Sequence, residues 1–385
     1  MEFDIPASSE LTLLPHTRLH GVCKIVKADG SDVSTEDYSI TNLFPQTLFS
    51  QIDLEIDGVN LAFQDNLYQY KAYLETLLTY GFDSKYSHLT TSLFLKDTPG
   101  FFDDLVGGNK GYTARKEDVK EGKLFDFAIP LHVDFFHTCR IIPPFVKMKL
   151  KLTRSKDDFS ILTNSGEELT VKIENLTLYV YRMQASENFL QKQEKTLLKK
   201  NALYPISRTQ CRKFTIPAGL SSASTPNIIN GVLPRQIIIG MVRSDALNGS
   251  YTLNPFNFQH LDCSFLSLRK NGVQIPSRAY QPNFEKKLVR REVRALYDNI
   301  GVNTPADDTG CGINVEDFIS GSTLFAFDLT NDLCNGYHYH DPISGTIDCE
   351  ILFSRPLQHS ISLICYMTFD TVVSLSKERS VTILP

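Results

Sequence analysis

Apolar and polar residues alternate with a period of two along much of this chain. Ile52, Leu54 and Ile56 interleave with Asp53, Glu55 and Asp57, and after Asp57-Gly58 the apolar positions resume at Val59 and Leu61. Successive side chains of a strand point to opposite faces, so such a run predicts a half-buried strand. Asp-Gly between two runs is the signal of a two-residue hairpin turn. The same alternation sets Met148, Leu150 and Leu152 against Lys147, Lys149 and Lys151, and Leu176, Leu178 and Val180 against Thr177, Tyr179 and Tyr181. Ile361, Leu363, Cys365, Met367 and Phe369 keep one parity near the end. Many short strands punctuated by Gly, Pro and Asn predict an all-β sandwich or barrel.

Helical spacing occurs in three places. Residues 66–80 put Leu67, Tyr70, Leu74, Leu77 and Leu78 on one face ahead of Gly81, and residues 283–299 place Val289, Val293, Leu296 and Ile300 ahead of Gly301. The polar stretch 187–200, ENFLQKQEKTLLKK, reads as a connector between domains. The two flanking parts of the chain rhyme. FPQTLFSQIDLEIDGV and PFNFQHLDCSFLSLRKNGV each carry an aromatic-led strand, an Asx-Gly turn and a return strand, followed by a helix, with the turns 214 residues apart. Leu124-Phe125-Asp126-Phe127 is echoed by Leu324-Phe325-Ala326-Phe327, 200 residues on. Echoes in the same order predict two copies of one sandwich, 1–186 and 203–385, joined by 187–202, each with a helix inserted in the same connection. Stretches 99–122, 219–231 and 301–321, rich in Gly, Pro, Asp, Asn or Ser, are expected to be long loops.

Composition narrows the function classes. There are 25 Phe and 16 Tyr but no Trp, a bias towards strand formers. A net charge of −5 opposes a protein built to grip nucleic acid, which needs a surplus of Lys and Arg. None of the 8 Cys forms a C-x-x-C pair, so zinc-ribbon and thioredoxin readings fall away. The start, MEFDIPASSELTLLPH, lacks the basic and apolar regions of a secretory signal, and no apolar run reaches the ~18 residues of a membrane span. Without a signal the thiols are expected to stay reduced, and Asn175 and Asn248 are expected to carry no sugar.

Longer runs carry a resemblance. FPQTLFSQIDLEIDG, YQYKAYLETLLTYG, SHLTTSLFLKDTPG, IPLHVDFF and KMKLKLTRSKDDF are similar to the first half of a major capsid protein of Maverick/Polinton elements and the related adintoviruses. YPISRTQCRKFTIPAGL, NGVLPRQIIIG, LNGSYTLNPFNFQHLD, QPNFE and LFAFDLT continue the match. The resemblance implies two tandem jelly-roll sandwiches (a double jelly roll, similar in build to the adenovirus hexon) with short inserted helices. It implies homotrimers of pseudo-hexagonal outline tiling an icosahedral shell, with neighbouring capsomers and a single jelly-roll penton protein as partners. It also implies a place in the virion capsid, no enzymatic activity, no cofactor and no sequence-specific nucleic-acid binding. Strand-like sequence begins almost at Glu2, so the leading arm of many capsid proteins is not expected. A carbohydrate- or receptor-binding double β-sandwich is the other function such a fold supports.

Candidate chemistry is sparse. His132-Val133-Asp134 has the H-x-D spacing of iron-dependent oxygenases on jelly rolls, where alternation sets an imidazole and a carboxylate on one side of a metal. That site needs a distant second His, and one oxygenase domain would leave the internal echo unexplained. His338-Tyr339-His340-Asp341 sets two imidazoles on one side of an extended segment beside Gly336 and Pro342, where an exposed loop is the simpler reading. Asp307, Asp308, Glu316 and Asp317 gather carboxylates near Gly310 and Gly312, a donor set suited to Ca²⁺ cross-linking subunits, or a solvated acidic loop. Lys286, Lys287, Arg290, Arg291 and Arg294 form a basic helix face, for packaged DNA or simply for water. Cysteines 23, 139, 263, 349 and 365 are expected in the core. Walker A, G-x-S-x-G and H-E-x-x-H patterns do not occur.

Overall fold

A computed structural model describes residues 1–33, 37–62, 66–302, 310–333 and 340–384. In the first half, Glu2–Ile5, Met148–Arg154, Phe49–Ile56 and Val59–Asn60 lie side by side in that order, and Phe125–Ile129, Leu11–Lys27 and Leu169–Met183 form a second sheet. In the second half, Ser222–Val232, Ser344–Phe353, Cys263–Lys270 and Val273–Tyr280 correspond to the first of these. Leu324–Asp328, Gln236–Arg243 and Ile361–Leu375 correspond to the second, with Ala202–Ile216 and Val381–Leu384 also paired to Ile361–Leu375. Strand for strand, the two sets share chain order, neighbours and antiparallel sense. The fold is all-β, a double jelly roll with short helices. Tyr38–Ile40 and Ile161–Thr163 add a two-stranded ladder to the first half.

The expected hairpins form for the expected reason. Asp57 and Gly58 have φ of 51° and 76°, and Asn271 and Gly272 have φ of 50° and 82°, the left-handed pair that matches the twist of the flanking strands. The two four-residue echoes also fall on corresponding strands. Phe125 and Phe127 turn inward on one, and Phe325 and Phe327 turn inward on the other to meet Tyr280 at ring distances of 5.9 and 5.1 Å.

Other expectations change. The helix read from 283 starts at Arg290, because Asn283 and Leu288 exchange backbone hydrogen bonds of 3.0 and 2.8 Å and close a turn. Within 99–122 lies a helix, Lys110–Val119. Asn109 caps it by accepting from the Tyr112 N–H, and Gly111 lets it pass close to the Leu95 and Lys96 carbonyls, which a Cβ would meet at 2.8 and 2.6 Å. Most of 219–231 is strand, bent by a register shift between Thr225 and Ile229. The described part of 301–321 holds the helix Val315–Ile319, closed by a reciprocal Asn314–Asp317 capping box.

Alternation also understates burial in the second half. Gln236–Arg243, Leu324–Asp328 and Ile361–Leu375 are buried on both faces almost throughout. Ile237, Ile239, Phe325, Phe327, Cys365 and Met367 fill their own sandwich, while the opposite parity is covered by other parts of the chain. Gly240 belongs to that covered face, where an added Cβ would lie 2.5 Å from Phe258 Cδ1 and 2.8 Å from Leu324 Cδ2. Overpacking of this kind costs about 1–3 kcal/mol. Gly240→Ala should therefore lower the urea midpoint by that equivalent, with an unchanged slope, in equilibrium unfolding followed by circular dichroism.

Candidate functional site

The helix Tyr68–Thr79 is buried on nearly every side, with Tyr68, Tyr70, Ala72, Tyr73, Leu74 and Leu77 joined by Gln69, Lys71 and Thr76. Such a helix must be packed from more than one direction. Tyr73 stacks on Phe256 of the second half with ring centroids 4.0 Å apart, and the Tyr70 hydroxyl donates to the Pro255 carbonyl at 2.9 Å. The helix thus forms the seam between the halves, and the most heavily charged buried cluster of the described residues sits upon it.

Lys71, at 0% exposure, extends its ammonium to 2.5 Å from Asp134 Oδ1 and 3.7 Å from Glu75 Oε1. The other Asp134 oxygen accepts the Thr209 N–H of the second half at 3.0 Å. Glu75 Oε2 lies 2.7 Å from His132 Nδ1, and its Oε1 lies 3.5 Å from the Tyr366 hydroxyl. The Tyr68 hydroxyl accepts the His132 N–H at 3.2 Å. Helix, post-strand segment and second-half sheet are tied through one network. A cleft of about 590 Å³ opens beside it, with Glu75, His132, His137, Arg235 and Tyr366 among its polar lining.

Burial works to raise the Glu75 carboxyl, but the Lys71 ammonium and the His132 hydrogen bond outweigh it and hold Glu75 down at about 2. Burial likewise opposes the charge on Lys71, yet Asp134 and Glu75 push its pKa upward. Asp134 itself is raised, desolvation prevailing over the neighbouring ammonium.

The two residues of the H-x-D pair both join this network, His132 through Glu75 and Asp134 through Lys71. Both Asp134 oxygens are occupied and Lys71 supplies the positive charge beside it. Among the described residues no three His, Cys, Asp or Glu side chains are grouped to hold a metal ion. The arrangement is a buried electrostatic clamp.

Elsewhere, His340 lies 3.3 Å from Asp370 Oδ2 and 3.2 Å from Asp332 Oδ1, while His338 is outside the described residues. Asp307 and Asp308 are also outside them. Glu316 pairs with Lys287 at 3.7 Å, and Asp317 both accepts the Asn314 N–H and lies 2.8 Å from Lys96 Nζ, so its cation is already supplied by the protein. The basic helix face breaks up. Lys286 and Lys287 precede the helix, Arg291 braces the Ala279 and Arg278 carbonyls, and Arg294 pairs with Asp298 at 2.6 Å. Cys23, Cys263, Cys349 and Cys365 are buried as expected, with burial pushing the Cys23 and Cys263 thiols up to about 12. Cys139 is exposed, in irregular backbone after the short helix Asp134–His137. Lys71 and Glu75 went unread as site residues. Their signal was a Lys and a Glu four residues apart in a helix rich in Tyr and Leu, where a buried charge persists only if paired.

No family model matches the chain. It is 24% identical over 350 residues to an uncharacterized protein of Caenorhabditis elegans, covering 89% of this chain and 81% of that one. Among solved structures, that of the Sputnik virophage aligns with 100% of this chain and 84% of its own at a TM-score of 0.63 and 10% identity. The mavirus major capsid protein aligns with 100% of this chain and 86% of its own at 0.57 and 10%. The PBCV-1 virus capsid aligns with 100% and 92% at 0.55 and 12%. At such identities the likeness is one of fold.

Removing Lys71 strands two buried carboxylates. Lys71→Met should cost about 3–5 kcal/mol in denaturant unfolding, and adding Asp134→Leu should restore part of it. Because the folded Glu75 pKa lies below its ordinary 4.5, its contribution is full above that value and is lost as pH falls through about 2. Glu75→Gln should therefore flatten the fall in unfolding free energy between pH 4.5 and 2, measured by urea titration across that range.

Proposed function

We propose that this chain is a major capsid protein that works by self-assembly: homotrimers of pseudo-hexagonal outline that tile an icosahedral shell. The observation that carries this reading is the alignment of the whole chain, both sandwiches included, with three viral capsid structures. Strand-by-strand duplication supports it physically. A trimer of two-sandwich chains presents six similar sandwiches, so a three-fold particle meets roughly six neighbours. The jelly roll also folds its strand edges into two packed sheets, which limits uncontrolled edge pairing during assembly.

In this reading 1–186 and 203–385 are the two jelly rolls and 187–202 is the joint. Neighbouring capsomers are the partners on the flat of the lattice, and a single jelly-roll penton protein fills the vertices. The protein resides in the virion capsid after synthesis in the host cytoplasm, and no cofactor or catalytic step enters. The reading extends to the Maverick/Polinton and adintovirus affiliation on the long motifs quoted above.

The purified protein should run in light scattering at about three times the 43.5 kDa of one chain, and negative-stain microscopy should show three-fold particles with hexagonal outlines. A single-chain mass at micromolar concentration would count against a capsid role.

A further inference from the structure

The seam cluster places reacting groups side by side as well as opposite charges. Lys71 and Asp134 are 63 residues apart in the chain and 0% and 6% exposed. Lys71 Nζ stands 2.5 Å from Asp134 Oδ1, which sets the amine beside Cγ of the same carboxyl. The second oxygen, Oδ2, accepts the Thr209 N–H at 3.0 Å. Glu75 follows Lys71 by one helical turn, with Oε1 3.7 Å from the same Nζ, while His132 Nδ1 holds its Oε2 at 2.7 Å. An amine, an acyl carbon, an N–H aimed at the acyl oxygen and a second carboxylate are the parts that amide formation needs.

Burial favours the reaction. An ion pair shut away from water has lost the hydration of both charges, so moving one proton from Nζ to Oδ1 costs far less here than at the surface. Desolvation raises the Asp134 carboxyl, in keeping with that exchange. Asp134 and Glu75 push Lys71 towards its charged form, so the uncharged pair is the minor form through which the step runs. Fixed geometry compensates, because well-oriented partners in one molecule reach effective concentrations of about 10⁵ M or more.

We infer that Lys71 and Asp134 become joined by an intramolecular isopeptide bond, with Glu75 carrying the proton. Once a proton has passed from Nζ to Oδ1, the Nζ lone pair attacks Cγ and an electron pair moves onto Oδ2, against the Thr209 N–H. Glu75 Oε1 takes a proton from Nζ and hands it to the Oδ1 hydroxyl, an approach that tightens as the reaction proceeds. The Cγ–Oδ1 bond then breaks, water leaves, and the carbonyl re-forms at Oδ2. Ammonium and carboxylate have become an amide and one water, with no oxidant and no change of oxidation state. The cleft lined by Glu75 and Asp134 gives that water a way out. The step consumes its own residues once, so it is a self-modification and not the turnover of a substrate. It ties the seam helix to the segment after Phe125–Ile129 by a bond that denaturant does not break, and it does not depend on the shell-subunit reading.

The test is the intact mass of the purified full chain in denaturant, followed by proteolytic peptide mapping. The chain should weigh about 18 Da less than its sequence, the mass of one water, and the map should hold a branched peptide joining Lys71 to Asp134. Glu75→Gln should leave most molecules at full mass. Lys71→Arg, which keeps a cation beside both carboxylates but removes the amine, should leave all of them so. Circular dichroism matching the wild type shows that each variant has lost the bond and kept the fold. A folded wild-type chain at full sequence mass overturns the bond, as does a mass deficit without the branched peptide. A Glu75→Gln chain that still loses the water overturns the part given to Glu75.

Discussion

A β-sheet buried on both faces cannot stand at the surface of its own sandwich, and that constraint organises this molecule. The sheet built on Gln236–Arg243 and Ile361–Leu375 carries apolar residues at both parities. Something must cover its outer side, and the helix Tyr68–Thr79 with the short helix Asp134–His137 lies against it. The hydrophobic effect supplies the drive but little orientation, since it is non-directional. The Lys71–Glu75–Asp134 cluster supplies the orientation. Its charges are tolerable only while each meets its partner, and one of those partners, the Thr209 N–H, belongs to the other half.

The same reasoning accounts for the chemistry-bearing residues gathered at the seam. His132 and Asp134 are each spent on holding two elements together, His132 against Glu75 and Asp134 against Lys71 and the Thr209 N–H. Arg115 shows the pattern again within the first half: fully buried, it lies 2.6 Å from Asp97 and donates to the Ile40 and Leu95 carbonyls. In both clusters the buried polar groups fix geometry between elements distant in the chain.

Much of the fold was legible because it rests on local rules. Asp57-Gly58 and Asn271-Gly272 specify their turns through two residues that accept positive φ, and the 200-residue echo of Phe125 and Phe127 in Phe325 and Phe327 marks corresponding strands. The failures were places where long-range contacts decide. Composition could not separate loop from helix at Lys110–Val119, since its cap and its glycine matter only against the Leu95–Lys96 backbone. The onset at Arg290 depended on a bridge between Asn283 and Leu288 that no helical period reports.

The candidate site divides along the same line. His132 and Asp134 could be picked out because their spacing is local, and their role misleads for the same reason, since the ammonium between the carboxylates arrives from a helix some sixty residues earlier. By itself, the sequence determined the all-β class, the duplicated order of strands and the hairpin turns, because propensity, alternation and turn stereochemistry act over a few residues. Only the tertiary structure decided that one sheet is covered on both faces and its counterpart left open. That difference is a property of neighbours across the fold, which alternation along a strand does not encode.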